Sequence, residues 1–134
     1  LDLQQDRQRY GFFTNDAGGI MDDLMIANRG DHIFVVVNAA CKAADIAHMK
    51  AKLDGVRVRE ITDRALLALQ GPAAEAVLAT LNPKAADMRF MDVATLMLGD
   101  AECWVSRSGY TGEDGFEISV PASHAADLAR QLLS

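Results

Sequence analysis

The sequence predicts an α+β fold in which antiparallel hairpins are covered by helices. Short runs of apolar and β-branched residues alternate with turn residues, which is typical of strands joined in hairpins. Three segments instead show apolar residues at helical spacing. A helix follows a set of strands at both ends of the chain, so we expect two similar α/β halves.

The turns locate the hairpins. Arg29-Gly30-Asp31 separates predicted strands at 20–28 and 32–37, and Gly99-Asp100 separates strands at 93–98 and 102–106. The remaining predicted strands are 56–61, 65–70 and 116–120, and residues 10–14 form a short aromatic segment ahead of turn residues at 15–19.

Helical stripes follow the strands. In the helix predicted over 42–53, the apolar residues near one face are Ala43, Ile46, Ala47, Met49 and Leu53. Pro72 is predicted as the first residue of the second helix. The apolar residues on one face of that helix are Ala74, Val77, Leu78 and Leu81. Ser123 is a candidate cap for the third, with Ala125, Leu128, Ala129 and Leu132 on one face.

Composition narrows the function classes. Half of the 134 residues are hydrophobic, enough for one core, so the chain is one domain or part of one. The net charge of −6 and the scattered basic residues argue against nucleic-acid binding. No apolar run approaches the ~20 residues of a membrane span, and no secretory signal is recognisable.

Cysteines and histidines give no metal or disulfide pattern. Cys41 and Cys103 are far apart and lie in apolar segments, so we expect reduced thiols and a reducing compartment. His32, His48 and His124 lack metal-ligand spacing, so no metal is expected.

Two adjacent carboxylates are the first candidate site. On a strand, Asp22 points to the same side as Leu24, whereas Asp23 points to the side of Met25. Both sides are otherwise apolar, and a carboxylate in apolar surroundings needs partners. An acid at the solvated rim of the sheet is the alternative, and spacing alone does not decide which Asp matters.

Two further polar segments are candidates. Residues 108–117 contain three glycines, the aromatic Tyr110 and, one residue into the next strand, Glu117. Asn38 ends a buried strand and offers both a donor and an acceptor. An ordinary solvated loop and a strand-end turn are the structural alternatives. The loop is no phosphate cradle, because it is acidic and lacks the lysine of a P-loop.

Four strings in this order resemble one family. They are N-D-A-G-G-I-M-D-D-L, V-V-V-N-A-A, A-L-L-A-L-Q-G-P and S-G-Y-T-G-E-D-G-F-E-I-S-V-P, and the chain from about Tyr10 onward resembles the T protein of the glycine cleavage system. Folate domains of sarcosine and dimethylglycine dehydrogenases share the fold, but tend toward Y-T-G-E-L-G-Y-E. A folate-binding protein of iron–sulfur cluster maintenance carries K-G-C-Y-x-G-Q, and the string Ser108-Gly109-Tyr110 departs from that motif at its cysteine.

The resemblance implies an aminomethyltransferase. Such an enzyme passes the one-carbon unit from the aminomethyl-lipoyl arm of H protein to its co-substrate tetrahydrofolate, giving 5,10-methylenetetrahydrofolate and ammonia. Cationic character develops at the transferred carbon, and a fixed carboxylate in a low-dielectric site would stabilise it. Lipoylated H protein and tetrahydrofolate are therefore the expected partners, with no nucleic acid, membrane or metal.

The resemblance also implies residue roles. Asp23 corresponds to the catalytic carboxylate, and Glu117 to the carboxylate that grips the pterin. Asn38 and the backbone around Val36 correspond to further pterin contacts, and Tyr110 to an aromatic wall. Phe34 stands where the family usually has Tyr.

The extent of the match implies a partial folate-binding domain over 1–134. By this reading the family's first strands, its C-terminal domain and the Arg that clamps folate's tail lie outside the chain, unless Arg107 or Arg130 takes that role. The piece alone is expected to be inactive and to self-associate. The expected location is the cytoplasm in a bacterium, which we favour, or the mitochondrial matrix in a eukaryote. A non-catalytic folate-binding regulator and a structural module are the alternatives.

Overall fold

The computed structural model describes residues 2–134. They divide into two compact units, the first ending at Thr62 and the second spanning Asp63–Ser134. Each unit is an antiparallel sheet with helix, so the predicted α+β class is confirmed. No helix within the described residues is long and apolar enough to cross a bilayer.

The first unit is a three-stranded sheet with one helix. Its elements are β1 (Arg7–Thr14), β2 (Ile20–Asn28), β3 (Ile33–Val37) and α1 (Lys42–Lys52). The sheet order is β1-β2-β3, with both pairs antiparallel.

The strand register sorts the side chains of the first unit onto two faces. Directly opposed residues share a face, and neighbours along a strand alternate. Phe12 pairs with Asp23, while Tyr10 and Val36 both pair with Met25. These five residues define what we call the aromatic face. On the other side Phe13 pairs with Asp22, and the Phe13 ring lies 5.3 Å from that of His48 in α1, so we call this the helix face.

The second unit is a four-stranded sheet with two helices. Its main elements are β4 (Arg64–Gln70), α2 (Ala74–Leu81), β5 (Val93–Leu98), β6 (Ala101–Arg107), β7 (Gly115–Pro121) and α3 (Ala125–Leu132). The order is β4-β7-β6-β5, again antiparallel. Short 3-10 helices occupy Pro83–Asp87 and Ala122–His124.

The core of the second unit forms on one face of this sheet. Phe116, Ile118 and Val120 alternate along β7 and are inaccessible to solvent. Leu78 of α2 and Leu128 of α3 belong to the same buried cluster. Burying one such side chain contributes about 1.5–3 kcal/mol. The intervening β7 residues therefore face away from this core.

Two local predictions were wrong. Residues 56–61 form no strand, and Val56 is 60% exposed. The second helix begins at Ala74 rather than at Pro72. Gly71 adopts a φ of +129° and its carbonyl accepts from the Ala74 N–H, so Pro72 lies in a turn ahead of the helix.

Two helix assignments also need correction. Ser123 does not cap α3, because it lies within a 3-10 turn and its hydroxyl contacts His124 Nδ1 at 3.0 Å. The apolar face predicted for the first helix is displaced. Asp45 is the buried residue of α1, whereas Ala47 and Leu53 are exposed.

Candidate functional site

Asp23 lies on the aromatic face of β2 and is held by two donors. The Tyr10 hydroxyl donates to Asp23 Oδ2 at 2.8 Å, and Asn38 Nδ2 donates to Asp23 Oδ1 at 2.7 Å. Tyr10 is the diagonal neighbour of Asp23 across the β1–β2 ladder, within reach of a long side chain. The hydrogen bond raises the pKa of Tyr10, so the phenol remains a donor at neutral pH.

Asn38 connects the two carboxylates of β2. β3 ends at Val37, opposite Leu24, so the next residue lies beside the Asp22–Asp23 segment. Asn38 Nδ2 also donates to Asp22 Oδ1 at 2.9 Å, and the Asn38 backbone N–H lies 3.4 Å from Asp22 Oδ2. One amide therefore spans two acids that point to opposite faces of the sheet.

Asp22 is the buried member of the pair. It is 8% exposed on the helix face, where it meets Asp45 of α1 and the thiol of Cys41. The hydrogen bond from Asn38 lowers the pKa of Asp22, whereas burial followed by the Asp22 contact raises the pKa of Asp45. Burial and the nearby acids also raise the pKa of the Cys41 thiol, so Cys41 is no activated nucleophile.

Cys41 and Cys103 are both free thiols, as expected. Cys103 is fully buried in the core of the second unit. Neither takes part in the chemistry described here.

Val36 lies on β3 on the same face as Asp23. β3 is an edge strand of the three-stranded sheet, so alternate backbone groups along it point away from β2. The first unit thus brings together Asp23, Asn38 and Val36 of the predicted residues, and adds Tyr10.

Glu117 lies on β7 on the face opposite the core of the second unit. It pairs with Ser106 of β6 and Ala68 of β4. Burial raises the pKa of Glu117, and a hydrogen bond with Ser108 partly opposes that shift. The Ser108 hydroxyl in turn lies 3.1 Å from that of Ser106. Glu117 is therefore a half-buried carboxyl with capacity for further donors.

The loop before β7 is held by Arg107. Its guanidinium donates to Asp114 Oδ1 at 3.0 Å, to Glu75 Oε2 at 2.5 Å and to the Met88 carbonyl at 2.7 Å. The Arg107 hydrogen bond lowers the pKa of Asp114. Arg107 is 16% exposed in its side chain and is committed to this network. In this structure the Arg107 guanidinium is therefore engaged with protein groups at each of its three nitrogens.

Glycine at 109 has a steric explanation. A Cβ there would lie 2.1 Å from the backbone oxygen of Glu113, which no side chain tolerates. The next residue, Tyr110, is 65% exposed, and its backbone N–H donates to Gln70 Oε1 at 3.2 Å. The tight loop therefore presents an open aromatic side chain.

Sequence reasoning missed three residues at these sites, namely Tyr10, Asp45 and Ser108. A signal for Tyr10 was available, because Tyr10 and Phe12 alternate along β1 and pair with Met25 and Asp23 of β2, which places all four on one face. Asp45 gives a weaker signal, since a single acidic residue in a helix is normally expected to be exposed to solvent. Among the described side chains, no group of three or more His, Cys, Asp or Glu could hold a metal ion.

Comparison with known proteins places these residues in context. The family model described as GCVT N-terminal domain matches residues 1–134. The mitochondrial aminomethyltransferase of Mus musculus is 43% identical over 98% of the chain, and that of Solanum tuberosum is 45% identical over 90%. The crystal structure of the glycine cleavage system aminomethyltransferase T from Bartonella henselae superposes with a TM-score of 0.86, at 38% identity over 99% of the chain.

The match covers only part of each relative. The chain spans 35% of the mouse protein, 32% of the potato protein and 37% of the Bartonella chain. It thus corresponds to about a third of their length.

Proposed function

This chain belongs to the family of the GCVT N-terminal domain, and we propose that it carries the folate-binding and catalytic residues of a glycine cleavage aminomethyltransferase. The proposed reaction moves the methylene carbon of an aminomethyl-lipoyl group on H protein to tetrahydrofolate. Two folate N–H bonds and the carbon's bonds to sulfur and nitrogen break. Two new carbon–nitrogen bonds form, and the two protons leave on the lipoyl thiol and ammonia.

The carboxylate of Asp23 is the observation that carries this proposal. It is fixed by Tyr10 and Asn38 on an otherwise apolar and aromatic face. A carboxylate oriented in advance stabilises positive charge at a transferred carbon without reorganising at the moment of reaction. It also orients the N–H of the attacking nitrogen. We therefore assign Asp23 the catalytic role.

The folate contacts are proposed for Glu117, Asn38, Tyr110 and Val36. Glu117 suits the amino and N–H donors of a pterin, because its burial disfavours an isolated charge and two donors would stabilise it. The exposed ring of Tyr110 offers an aromatic surface. Asn38 and the edge backbone near Val36 supply further polar groups.

Partners and location are part of the same proposal. Lipoylated H protein is the expected donor protein, and residues 1–134 are the proposed folate-binding part of the enzyme. The mitochondrial names of the eukaryotic relatives make the mitochondrial matrix the expected site in a eukaryote. In a bacterium the corresponding site is the cytoplasm.

A turnover assay tests the proposal. The full-length protein is mixed with aminomethylated H protein and tetrahydrofolate, and methylenetetrahydrofolate and ammonia are quantified. Equal amounts of the two products, both absent when H protein lacks its lipoyl group, would support the transfer. Folate binding without either product would instead indicate a regulator.

A further inference from the structure

The Asp45 carboxyl is buried in α1 without the donors that a carboxylate needs. Asp45 is 1% exposed, and its Oδ2 atom accepts no hydrogen bond from any group between residues 2 and 134. An ionised carboxylate in that position carries a large desolvation cost. A proton on the acid removes this cost and turns the side chain into a donor.

The neighbouring carboxyl identifies the acceptor. Asp45 is in hydrogen-bonding contact with Asp22 of β2. Asp22 already accepts from the Asn38 amide at 2.9 Å and has the Asn38 backbone N–H at 3.4 Å. Two facing carboxyls share one proton, which belongs on the acid that has fewer donors. That acid is Asp45.

The other titratable groups around Asp45 do not reverse this distribution. They are the Cys41 thiol ahead of α1, His48 one turn along α1, and Asp23 beyond Asp22 on β2. His48 favours the ionised form of Asp45, but burial and Asp22 both favour the neutral form and outweigh it. Asp23 adds a further negative charge on the far side of Asp22.

We propose that Asp45 is a positioning residue for Asp23, acting as a neutral acid that donates to Asp22. The hydrogen-bonded order is Asp45, Asp22, Asn38, Asp23. Asp22 stays anionic, so the Asn38 side chain turns its N–H₂ toward the acids and spans both carboxylates. The inference rests on the proposed function of Asp23, although Asp45 itself lies on the helix face and touches no reacting group.

Two substitutions separate hydrogen bonding from packing. Asp45→Asn keeps the shape and offers an N–H donor to Asp22, whereas Asp45→Leu keeps similar bulk and removes the donor. Asp54→Asn is the control, because it removes one carboxylate at an exposed position after α1. All are made in the full-length protein.

Turnover and side-chain NMR are the first two readouts. With Asp45→Leu we expect kcat to fall about 10- to 100-fold, the effect of displacing a catalytic group by a fraction of an ångström to about 1 Å. The KM of the Asp45→Leu variant for tetrahydrofolate should stay within a few-fold of the wild-type value. The kcat of the Asp54→Asn control should also stay within a few-fold of wild type. Asp45→Asn should retain kcat within about threefold. The Asn38 side-chain amide signals should shift in the Leu variant and hold in the Asn variant.

The pH dependence of stability is the third readout. Because the folded pKa of Asp45 is raised, its contribution to stability is complete at low pH and is lost as pH rises through that pKa. The Tm of wild type relative to Asp45→Asn should therefore fall as the pH rises above the usual pKa of an aspartate carboxyl. Carboxyl ¹³C shifts should show one aspartate titrating above the usual range, and this signal should vanish in Asp45→Asn.

The outcomes are distinct. Equal losses of kcat in the Asn and Leu variants, or a wild-type kcat in the Leu variant, would overturn the positioning role. A pH-independent Tm difference would overturn the neutral acid. If the Leu variant does not fold, the Asn variant's pH profile and amide signals decide. If wild type shows no transfer, the proposed function fails, while the titration and the Asn38 signals still test the hydrogen-bonded chain.

Discussion

The Tyr10 hydroxyl donates a 2.8 Å hydrogen bond to Asp23 Oδ2 across the β1–β2 hairpin. Asn38 approaches the other oxygen of the same carboxylate. Asp23 is thus held by a phenol on one side and an amide on the other. The orientation of the acid depends on two strands and the residue after a third.

Asp23→Asn in the full-length protein is expected to remove most turnover. Losing one preorganised electrostatic partner typically lowers kcat by about 100- to 1000-fold. Folate affinity, measured by calorimetry, should change only a few-fold. If a folded Asp22→Asn variant lost transfer while Asp23→Asn kept it, the assignment of the catalytic acid would be wrong.

Tyr10→Phe should lower kcat about two- to tenfold, because it removes one donor to Asp23 while the Asn38 donor remains. The raised pKa of Tyr10 keeps the phenol protonated across neutral pH, so the defect should not vary between about pH 6 and 9. Steady-state kinetics over this range would check both points. Phe12→Leu, on the same face, serves as the control for aromatic packing, and an equal defect there would exclude a role for the hydroxyl.

Glu117→Gln is expected to weaken tetrahydrofolate binding by about 1–3 kcal/mol, since one acceptor becomes a donor that faces a ligand donor. Binding requires the ionised acid, so wild-type affinity should fall as pH drops through the raised pKa of Glu117. The Gln variant should lack this pH dependence. Calorimetry at several pH values makes the comparison, and identical affinities for the two proteins would eliminate the proposed contact.

Arg107→Gln should destabilise the protein by about 1–2 kcal/mol at neutral pH, a figure reduced for the partial exposure of Glu75 and Asp114. The folded pKa of Asp114 is lowered, so its contribution is present above its unfolded pKa and lost as pH falls. The difference from wild type should therefore shrink in acid. Denaturant titrations would measure it, with Arg59→Gln at an exposed position as the control. A constant difference across pH would contradict the ion-pair explanation.

Residues 1–134 produced alone are expected to self-associate and to catalyse no transfer. Both sheets have open edge strands, and Phe12 and Ile33 are 51% and 43% exposed. Open edges and apolar side chains recruit further chains. Sedimentation would reveal the assembly, and Ile33→Lys on β3 should weaken it. A monomer that forms methylenetetrahydrofolate would refute this expectation.

The hairpins were predictable because local signals agree there. Gly30 and Gly99 have φ values of +91° and +58°, which glycine adopts readily, and the flanking runs have strand periodicity. Residues 56–61 carry a similar alternation but pair with no strand of either sheet, and sequence pattern alone does not reveal whether a partner strand exists. The strand prediction failed there for that reason.

The candidate site was predictable only in part. Alternation with Phe116 and Ile118 explains why Glu117 leaves the core, but its role came from the resemblance to a family. Which acid of the Asp22–Asp23 pair is buried depends on where α1 packs, and this tertiary contact is not visible in the local sequence pattern. Asp45 was missed because it lies on a helix and its carboxyl partner, Asp22, comes from β2.

The turn between β1 and β2 also decides which of two chemically identical side chains lies on the aromatic face. β2 is apolar on both faces, so hydrophobic patterning alone would tolerate a slip by one residue, which reverses every side chain. The Asn15–Gly19 turn, closed by the Asn15 N–H to Gly19 carbonyl bond, and the irregularity between Phe13 and Thr14 set the alignment. Shortening that turn by one residue would send Asp22 outward and bury Asp23 against the helix. Loop length thus selects which of the two acids is buried against the helix.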